Sequence, residues 1–411
     1  MSESSIKRIA VIGAGASGMV AAICASKNNT SVTLFEHQNE PGRKILATGN
    51  GRCNMSNKDL CIQRYYSDSD DSAFIASFLE RFNYDTLVSF FEALGLWVTE
   101  KGMLLYPETL RAATVRDILL NKIKQTRTNL VLNSNITSIS YAADKQIFTV
   151  IDRSKSYEFD RVIMACGSYA SISKDNRISS DIDGYSLAYH LGHTVLPVKP
   201  ALCSLKLSDK SVCSLAGLRI HGKISVTLKE KTYSSKGELQ FTDYGISGIP
   251  VFDVSRIIGR ISDKSAACVK IVFDTFADNK EKLLKRIEEF EGKTIDEFFL
   301  GILPGNLCSF MMNRLEIESG SIIDTSIKEI LKQQNELSFA LTCECNAVAK
   351  AFENAQVCSG GVSLSELDRN FQSKIIPGLY IVGEMTDVDG ICGGYNLHYA
   401  FGSGFIAGSS V

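Results

Sequence analysis

The stretch from Ile6 to Glu36 constrains the fold more than any other part of the chain. It reads as a strand, a glycine-rich turn, a helix, a second strand and a terminal carboxylate. Gly13, Gly15 and Gly18 form a G-x-G-x-x-G pattern directly after the apolar run Ile9 to Ile12. In such a unit each glycine has a mechanical task. Gly13 permits the tight turn, Gly15 lets a pyrophosphate approach the backbone, and Gly18 lets helix and strand pack closely. Ala16 and Ser17 open the helix, whose free N–H groups and dipole face the phosphates. Glu36 closes the second strand, where a carboxylate accepts hydrogen bonds from ribose hydroxyls. A lone glycine fingerprint is weak evidence, but strand, helix and acid all stand here at workable spacing. The pattern predicts a βαβ unit that binds an adenine dinucleotide.

At 411 residues, and about 150 residues per domain, the chain has room for two or three domains. Forty-four basic residues against 46 acidic ones leave a net charge of −2, which gives no electrostatic footprint for nucleic acid. No uncharged apolar run reaches the roughly 18 residues that a membrane helix needs. The segment Met1 to Arg8 lacks the apolar core of a signal peptide, so a cytoplasmic location is expected. The 12 cysteines are scattered without a C-x-x-C pair, and the five histidines are dispersed. Neither set has zinc or cluster spacing, so the cysteines are expected to be buried free thiols and no metal is expected.

After the first βαβ unit comes a polar, glycine-rich loop, Pro41 to Asn57, too rich in Gly, Asn and Arg for regular structure. Residues 72–94 carry helical spacing, and Ala112 to Thr126 reads as a helix with Val115, Ile118, Leu119 and Ile123 on one face. Leu130 to Ile139, Gln146 to Ile151 and Tyr157 to Met164 read as strands of a meander. The last of them is a continuous apolar run expected to return to a central parallel sheet, ending at Cys166-Gly167. Short strands are expected at Leu202 to Leu207, Gly222 to Leu228, Glu238 to Thr242 and Val269 to Phe273, followed by a helical block from about Asn279 to Gln334. Gly378 to Val382 reads as one more buried strand and Asn396 to Gly408 as a closing helix. The expected architecture is α/β, with a dinucleotide-binding sheet drawn from both chain ends and a mixed insertion between them. The expected divisions are 1–192 and 336–411 for the ends, 193–278 for a β-rich insertion and 279–335 for a helical piece, the 336–411 stretch also returning to the insertion.

Two features point from a dinucleotide to FAD rather than NAD. Pro377-Gly-Leu-Tyr-Ile-Val-Gly-Glu is a turn into a buried strand that ends in Gly383 and Glu384, a placement that brings an acid beside a ribityl or pyrophosphate group. No second G-x-G-x-x-G exists, although an enzyme with a separate NAD(P) domain normally shows two. The run Pro41-Gly-Arg-Lys-Ile-Leu-Ala-Thr-Gly-Asn-Gly-Arg-Cys-Asn, together with Gly383-Glu-Met-Thr-Asp-Val-Asp-Gly-Ile-Cys-Gly-Gly-Tyr-Asn-Leu, resembles the BaiN/YhiN-type flavoproteins. Smaller echoes, among them Gly237-Glu-Leu-Gln-Phe-Thr-Asp-Tyr-Gly-Ile-Ser-Gly and Gly360-Gly-Val-Ser-Leu, extend the resemblance over nearly the whole chain. It implies a Rossmann-type FAD-binding domain interrupted by a β-barrel-like insertion with a small helical subdomain. It also implies an FAD-dependent oxidoreductase with flavin hydride chemistry on a small or medium organic substrate. NAD(P)H-driven reduction of an activated C=C bond is the leading activity, and O₂-dependent oxidation of an aminoacetone-like amine is the alternative. Departures from the family pattern at Asp243 (often His), Cys358-Ser359 (often Thr-Ala) and Ile249 (before Pro250) bear on substrate preference rather than on FAD.

The candidate cofactor residues follow. Arg43 and Lys44 carry charge toward a pyrophosphate or the flavin N1–C2=O edge. The span Thr48, Gly49, Asn50, Arg52, Cys53 and Asn54 offers backbone donors, amides and a guanidinium to an isoalloxazine edge. Gly167 after its strand joins them, with Gly383, Glu384, Asp389, Gly394, Tyr395 and Asn396 near the closing helix. Asn396 also reads as a helix cap and Gly402, Gly404 and Gly408 as close-packing positions. Tyr395, His398 and Asp243 are candidates for a proton donor, and Cys392 for a redox thiol, but no catalytic residue stands out. A flavoprotein acting on RNA and a non-catalytic FAD-binding protein are the readings of other classes.

Overall fold

The computed structural model describes residues 6–27, 29–69, 71–153, 155–170, 183–228, 231–260, 267–273, 280–336, 341–349 and 352–411. The chain forms two compact units, Met1–Lys199 with Val357–Val411, and Pro200–Gln356.

The first unit is built on a five-stranded sheet in the order Leu379–Ile381, Arg161–Met164, Lys7–Ile12 (β1), Thr30–Phe35 (β2), Asn129–Val131, with every pairing parallel. Parallel strands are covered on both faces and therefore read as continuous apolar runs. Ile9, Ala10 and Val11 accordingly have no exposed surface, and neither do Val162, Ile163 and Met164. Between β1 and β2 runs helix α1, Ala16–Ala25. The closing helix Tyr395–Ser410 lies against α1 at backbone distance. A Cβ on Gly404 would sit 2.2 Å from Ser17 O, and one on Gly408 2.3 Å from Ala21 O. The meander departs from the reading of Leu130 to Ile139 as one strand: Asn129–Val131 joins the central parallel sheet, and the antiparallel sheet begins only at Ile136. Ile136–Ala142, Ile147–Asp152 and Lys155–Phe159 form an antiparallel sheet, and Arg161–Met164 returns to the centre.

The helical spacing over 72–94 belongs to two helices, Ser72–Arg81 and Tyr84–Ala93, because Asn83 caps the second by accepting from Thr86 N at 2.9 Å. A further expectation is corrected here. The loop Pro41 to Asn57 does contain regular structure. Gly42 takes a left-handed φ of 71° and starts the short helix Arg43–Ala47 (α2), a 3₁₀ turn follows at Thr48–Gly51, and Ser56–Asn57 is a two-residue strand.

The second unit is a closed barrel of six antiparallel strands. Around the barrel they run Leu205–Leu207, Gly245–Ser247, Lys231–Thr242, Arg219–Leu228, Ala267–Phe273 and Leu341–Ala349. Helix Ile249–Arg260 buries Val251, Val254, Ile257 and Ile258 against barrel residues such as Leu239, Ile224 and Ile271. Four helices, Lys280–Glu289, Ile295–Phe299, Gly305–Leu315 and Thr325–Glu336, lie in sequence between two barrel strands that are partners of each other. The helical piece is thus an insertion within the barrel. The units divide after Lys199 and after Gln356, whereas the sequence reading divides the chain at 192, 278 and 335. The difference at 192 has a physical reason: strand Val195–Ala201 pairs with Val357–Val362, which holds its first residues in the first unit. Among the described residues no helix is long and apolar enough to cross a membrane, and no cluster of His, Cys, Asp and Glu could hold a metal ion.

Candidate functional site

The three glycines of the fingerprint occupy different surroundings. A Cβ on Gly13 would lie 2.4 Å from Ala165 O, and one on Gly18 would lie 1.8 Å from Gly13 O, so both positions are closed by backbone. A Cβ on Gly15 would meet nothing within 4 Å. Gly15 is also the N-cap of α1, with no side-chain cap and no acid in the first turn. The first N–H groups of the ten-residue helix are therefore left for another acceptor, in front of open space. Gly167 is open as well, with a φ of 76° and nothing within 4 Å of its would-be Cβ.

Glu36 is buried and accepts from Ala14 N and Gln38 N, each at 2.9 Å, and its Oε1 lies 2.9 Å from His37 Nδ1. Burial opposes its charge, yet the hydrogen bonds from His37, Gln38 and Ala14 outweigh that and hold the carboxyl below its usual range. A permanent carboxylate thus stands behind the glycine turn.

Lys44, on α2, forms an ion pair with Glu384. The same Glu384 oxygen accepts from the Ser168 hydroxyl at 2.7 Å, and its backbone carbonyl accepts from Tyr185 Oη at 3.0 Å. Two of the sequence candidates are thus joined across most of the chain length. Ser168 and Tyr185 were missed by the sequence reading, although Ser168 directly follows the flagged Cys166-Gly167. Gly383 has a φ of 67°, a Cβ on it would lie 2.5 Å from Ser17 Oγ, and its N–H donates to the buried Ser403 Oγ at 2.9 Å.

The segment after α2 is bent by consecutive left-handed residues: Gly49 (φ 55°), Asn50 (φ 53°) and Gly51 (φ 80°), with Cys53 (φ 60°) beyond. Asn tolerates this conformation better than most side chains, whereas Cys rarely adopts it, and such strain concentrates at ligand clamps. Thr48 Oγ1 donates to Ile45 O at 2.6 Å, which turns its hydroxyl back onto the helix. Asn54 bridges Ser56 O at 3.0 Å and Gly394 N at 3.2 Å, which ties this loop to the start of the closing helix. Asn396 holds the preceding loop by accepting from Gly390 N at 2.7 Å and donating to Gly390 O at 2.8 Å.

Other candidates take different places. Arg43 is exposed and donates to Gln38 Oε1 at 2.7 Å, so it does not share the Lys44–Glu384 pair. Arg52 is exposed, and Cys53 is buried with its thiol pushed up to about 12 by burial. Asp389 is buried in a two-residue strand opposite Tyr66. Tyr395 is buried against Tyr65, and its hydroxyl donates to Asp59 O at 3.3 Å. His398 has no exposed surface. Its Nε2 lies 3.0 Å from Phe82 O, a carbonyl that can only accept, so that nitrogen carries the proton and Nδ1 accepts from Ser56 Oγ at 2.8 Å. Burial lowers its pKa to about 4. Both nitrogens are thus engaged in the wall of the fold. Asp243 is exposed in the second unit, on the turn between strands Lys231–Thr242 and Gly245–Ser247.

The arrangement fits FAD. It offers an uncapped helix N-terminus in front of an open glycine, a fixed carboxylate behind it, a strained donor-rich loop, and a lysine–glutamate pair at the end of the C-terminal strand. Comparison with known proteins agrees. The family model described as HI0933-like protein Rossmann domain matches residues 7–410. The chain is 34% identical to the 3-dehydro-bile acid delta(4,6)-reductase of Clostridium scindens, covering 98% of each chain. It is 28% identical to a ribosomal RNA dihydrouridine synthase of Escherichia coli, covering 96% of this chain and 95% of the other. Among solved structures it is similar to the 3-ketosteroid-delta4-(5alpha)-dehydrogenase of Rhodococcus jostii, with a TM-score of 0.51, 13% identity and coverage of 100% and 98%. It is also similar to the 3-ketosteroid delta1-dehydrogenase of Sterolibacterium denitrificans, with a TM-score of 0.52, 10% identity and 98% coverage of each. At these identities the two structures speak for the fold alone. The chain belongs to the HI0933-like Rossmann family, the BaiN/YhiN-type flavoproteins, and is an FAD-dependent oxidoreductase.

Proposed function

We propose that the chain reduces a carbon–carbon double bond conjugated to a carbonyl in a small or medium, steroid-like substrate, with NADH or NADPH as electron donor. The observation that carries this reading is the 34% identity, over nearly the full length of both chains, to a reductase named for such a bond. Bound FAD supplies the hydride chemistry. The protein's part is to hold, orient and shield. In this reading the N-terminus of α1 takes the pyrophosphate and Glu36 the adenosine ribose. Lys44 and Glu384 lie toward the ribityl chain or the flavin N1 edge, and the loops Gly49–Asn54 and Gly393–Asn396 lie toward the isoalloxazine. A cytoplasmic setting suits the free thiols Cys24, Cys53, Cys61, Cys166, Cys308 and Cys358.

The test is anaerobic. NADH or NADPH should bleach the flavin, and a 3-oxo-4-ene or 3-oxo-4,6-diene steroid should restore its colour with formation of the saturated bond. Bleaching by neither nucleotide discards the donor, and failure of every enone to reoxidise the flavin discards the substrate class.

A second reading has its own support. Two relatives, at 28% and 26% identity, are named ribosomal RNA dihydrouridine synthases. The C5=C6 bond of uracil is also conjugated to a carbonyl, so the same hydride chemistry serves. The balanced charge of the chain speaks for the small molecule. Dihydrouridine formed in ribosomal RNA by the reduced enzyme, with no turnover of enones, would reverse the preference.

A further inference from the structure

Asp387 stands in the segment between Glu384 and Asn396, and it has no exposed surface. Its Oδ2 accepts from Ser67 Oγ at 2.8 Å, Ser69 N at 2.7 Å and Ser69 Oγ at 2.9 Å. Its Oδ1 is buried and has no hydrogen-bond partner among the described residues. The hydroxyls continue outward from there. Ser69 Oγ lies 3.2 Å from Ser363 Oγ, and Ser363 Oγ lies 2.8 Å from Ser365 Oγ. Ser363 is buried, Ser67 and Ser69 are half-buried, and Ser365 is exposed. Three hydroxyls thus link the exposed Ser365 to a buried carboxyl, in steps of 2.8, 3.2 and 2.9 Å.

The chain has a consistent polarity. Ser69 donates to Asp387, and Leu364 N donates to Ser69 Oγ at 3.2 Å, so Ser69 can also accept from Ser363. With Ser363 and Ser365 donating in the same sense, every hydroxyl points its proton inward. A hydroxyl both gives and takes a proton, which a backbone amide cannot do, so a line of hydroxyls is able to pass a proton where a set of backbone anchors would only hold.

We propose that Ser365, Ser363 and Ser69 form a proton path from solvent to Asp387, which holds the proton that the reduction consumes and releases it from the Oδ1 side. The use of that proton rests on the reductase reading. Saturating a conjugated C=C bond adds a hydride to the β-carbon and a proton to the α-carbon. The proton is drawn from water, and Asp387 is reprotonated through Ser69 after each release. Burial raises the Asp387 carboxyl above its usual range, against the pull of hydrogen bonds from Ser67, Ser69 and the Asp68 backbone, so it is suited to hold a proton. Asp387 is a relay residue on this account, and the serines position the proton.

The test needs neither donor nor enone. Infrared spectra of the FAD-loaded protein at mildly acidic pH should show a protonated carboxyl band that is absent in Asp387→Asn. On mixing with D₂O the band should shift at once in the wild type. Ser67 also donates to the carboxyl, so the path is read in a Ser67→Ala background, where the fast shift should persist. Adding Ser69→Ala should slow it by roughly a hundredfold, the lower range for losing a positioned proton carrier. Adding Ser69→Thr instead, which keeps the hydroxyl, should leave the exchange fast. If Ser67→Ala/Ser69→Ala fails to fold, Ser67→Ala/Ser363→Ala breaks the path one step further out. Fast exchange in either folded double variant overturns the path, as does a band that Asp387→Asn does not remove. Exchange of the expected pattern in a protein that reduces no enone keeps the path and discards the reductase reading.

Discussion

At the scale of single residues the site separates positions that face open space from positions that are closed by the fold. Gly15 and Gly18 belong to one motif, but only Gly15 faces open space. Gly15→Ala should therefore fold with an unchanged melting temperature while FAD affinity falls by about tenfold or more, the equivalent of about 1.4 kcal/mol, as read by flavin fluorescence titration. Gly18→Ala should lower the melting temperature itself, because its Cβ has nowhere to go. His398 makes a second residue-scale prediction. Its pKa is about 4 in the fold against an ordinary 6.5, so the unfolded chain binds more protons between those values. Stability should then be full above pH 6.5 and fall as the pH drops toward 4, by an amount on the order of 3 kcal/mol. Urea midpoints of His398→Gln should show a flatter acid limb than those of the wild type, and an equally steep limb would assign the loss to other groups. The glycine turn and the acid behind it are legible in the sequence because glycines and a terminal acid have few other reasons to stand at such spacing. The Asp387 hydroxyl chain is not legible. Ser67, Ser69, Ser363 and Ser365 are common surface residues in sequence, and only the tertiary fold brings positions some three hundred residues apart into one line.

At the scale of elements, what decides the structure is how closely backbone meets backbone. The closing helix touches α1 through Gly404 and Gly408, where no side chain fits. Gly404→Ala would press a methyl group against Ser17 O, part of rigid helical backbone, and should cost about 3 kcal/mol, the upper range for overpacking. A thermal melt of the apoprotein reads this directly, and a shift of less than a degree would mean that the two helices slide apart freely. Helices and central strands are the most readable elements, since their apolar periods are long. The barrel is less so. Gly245–Ser247 has only three residues, Leu341–Ala349 alternates small and polar side chains, and helix Ile249–Arg260 begins with an Ile-Pro pair that masks its periodicity. The expected loop at Pro41 to Asn57 hid a helix because glycine signals both a break and, in a left-handed conformation, a helix start.

At the scale of the whole molecule, the second unit is one continuous stretch, Pro200–Gln356, and the first unit is made of two. The ends of the stretch are near each other, since Gln356 N donates to Leu202 O at 3.2 Å and the flanking strands pair. Replacing residues 200–356 with a short Gly/Ser linker should therefore leave a protein that retains a flavin absorbance band and a cooperative melt. A colourless or unfolded product would show that the cofactor domain needs the barrel to be stable.

The split construction also sets a schedule for biosynthesis. Helix α1 is made more than 350 residues before the strand Leu379–Ile381, Glu384 and the helix Tyr395–Ser410 that covers it. At ordinary rates of translation the interval is roughly 20 to 70 s, during which the face of α1 that receives Gly404 and Gly408 has no partner. The barrel is complete before the sheet that carries the fingerprint can close. Capture of the cofactor by a finished cradle is thus a late event in the life of the chain, and a ribosome that stalls before Leu379 leaves a protein with the dinucleotide signature and no means to finish the site.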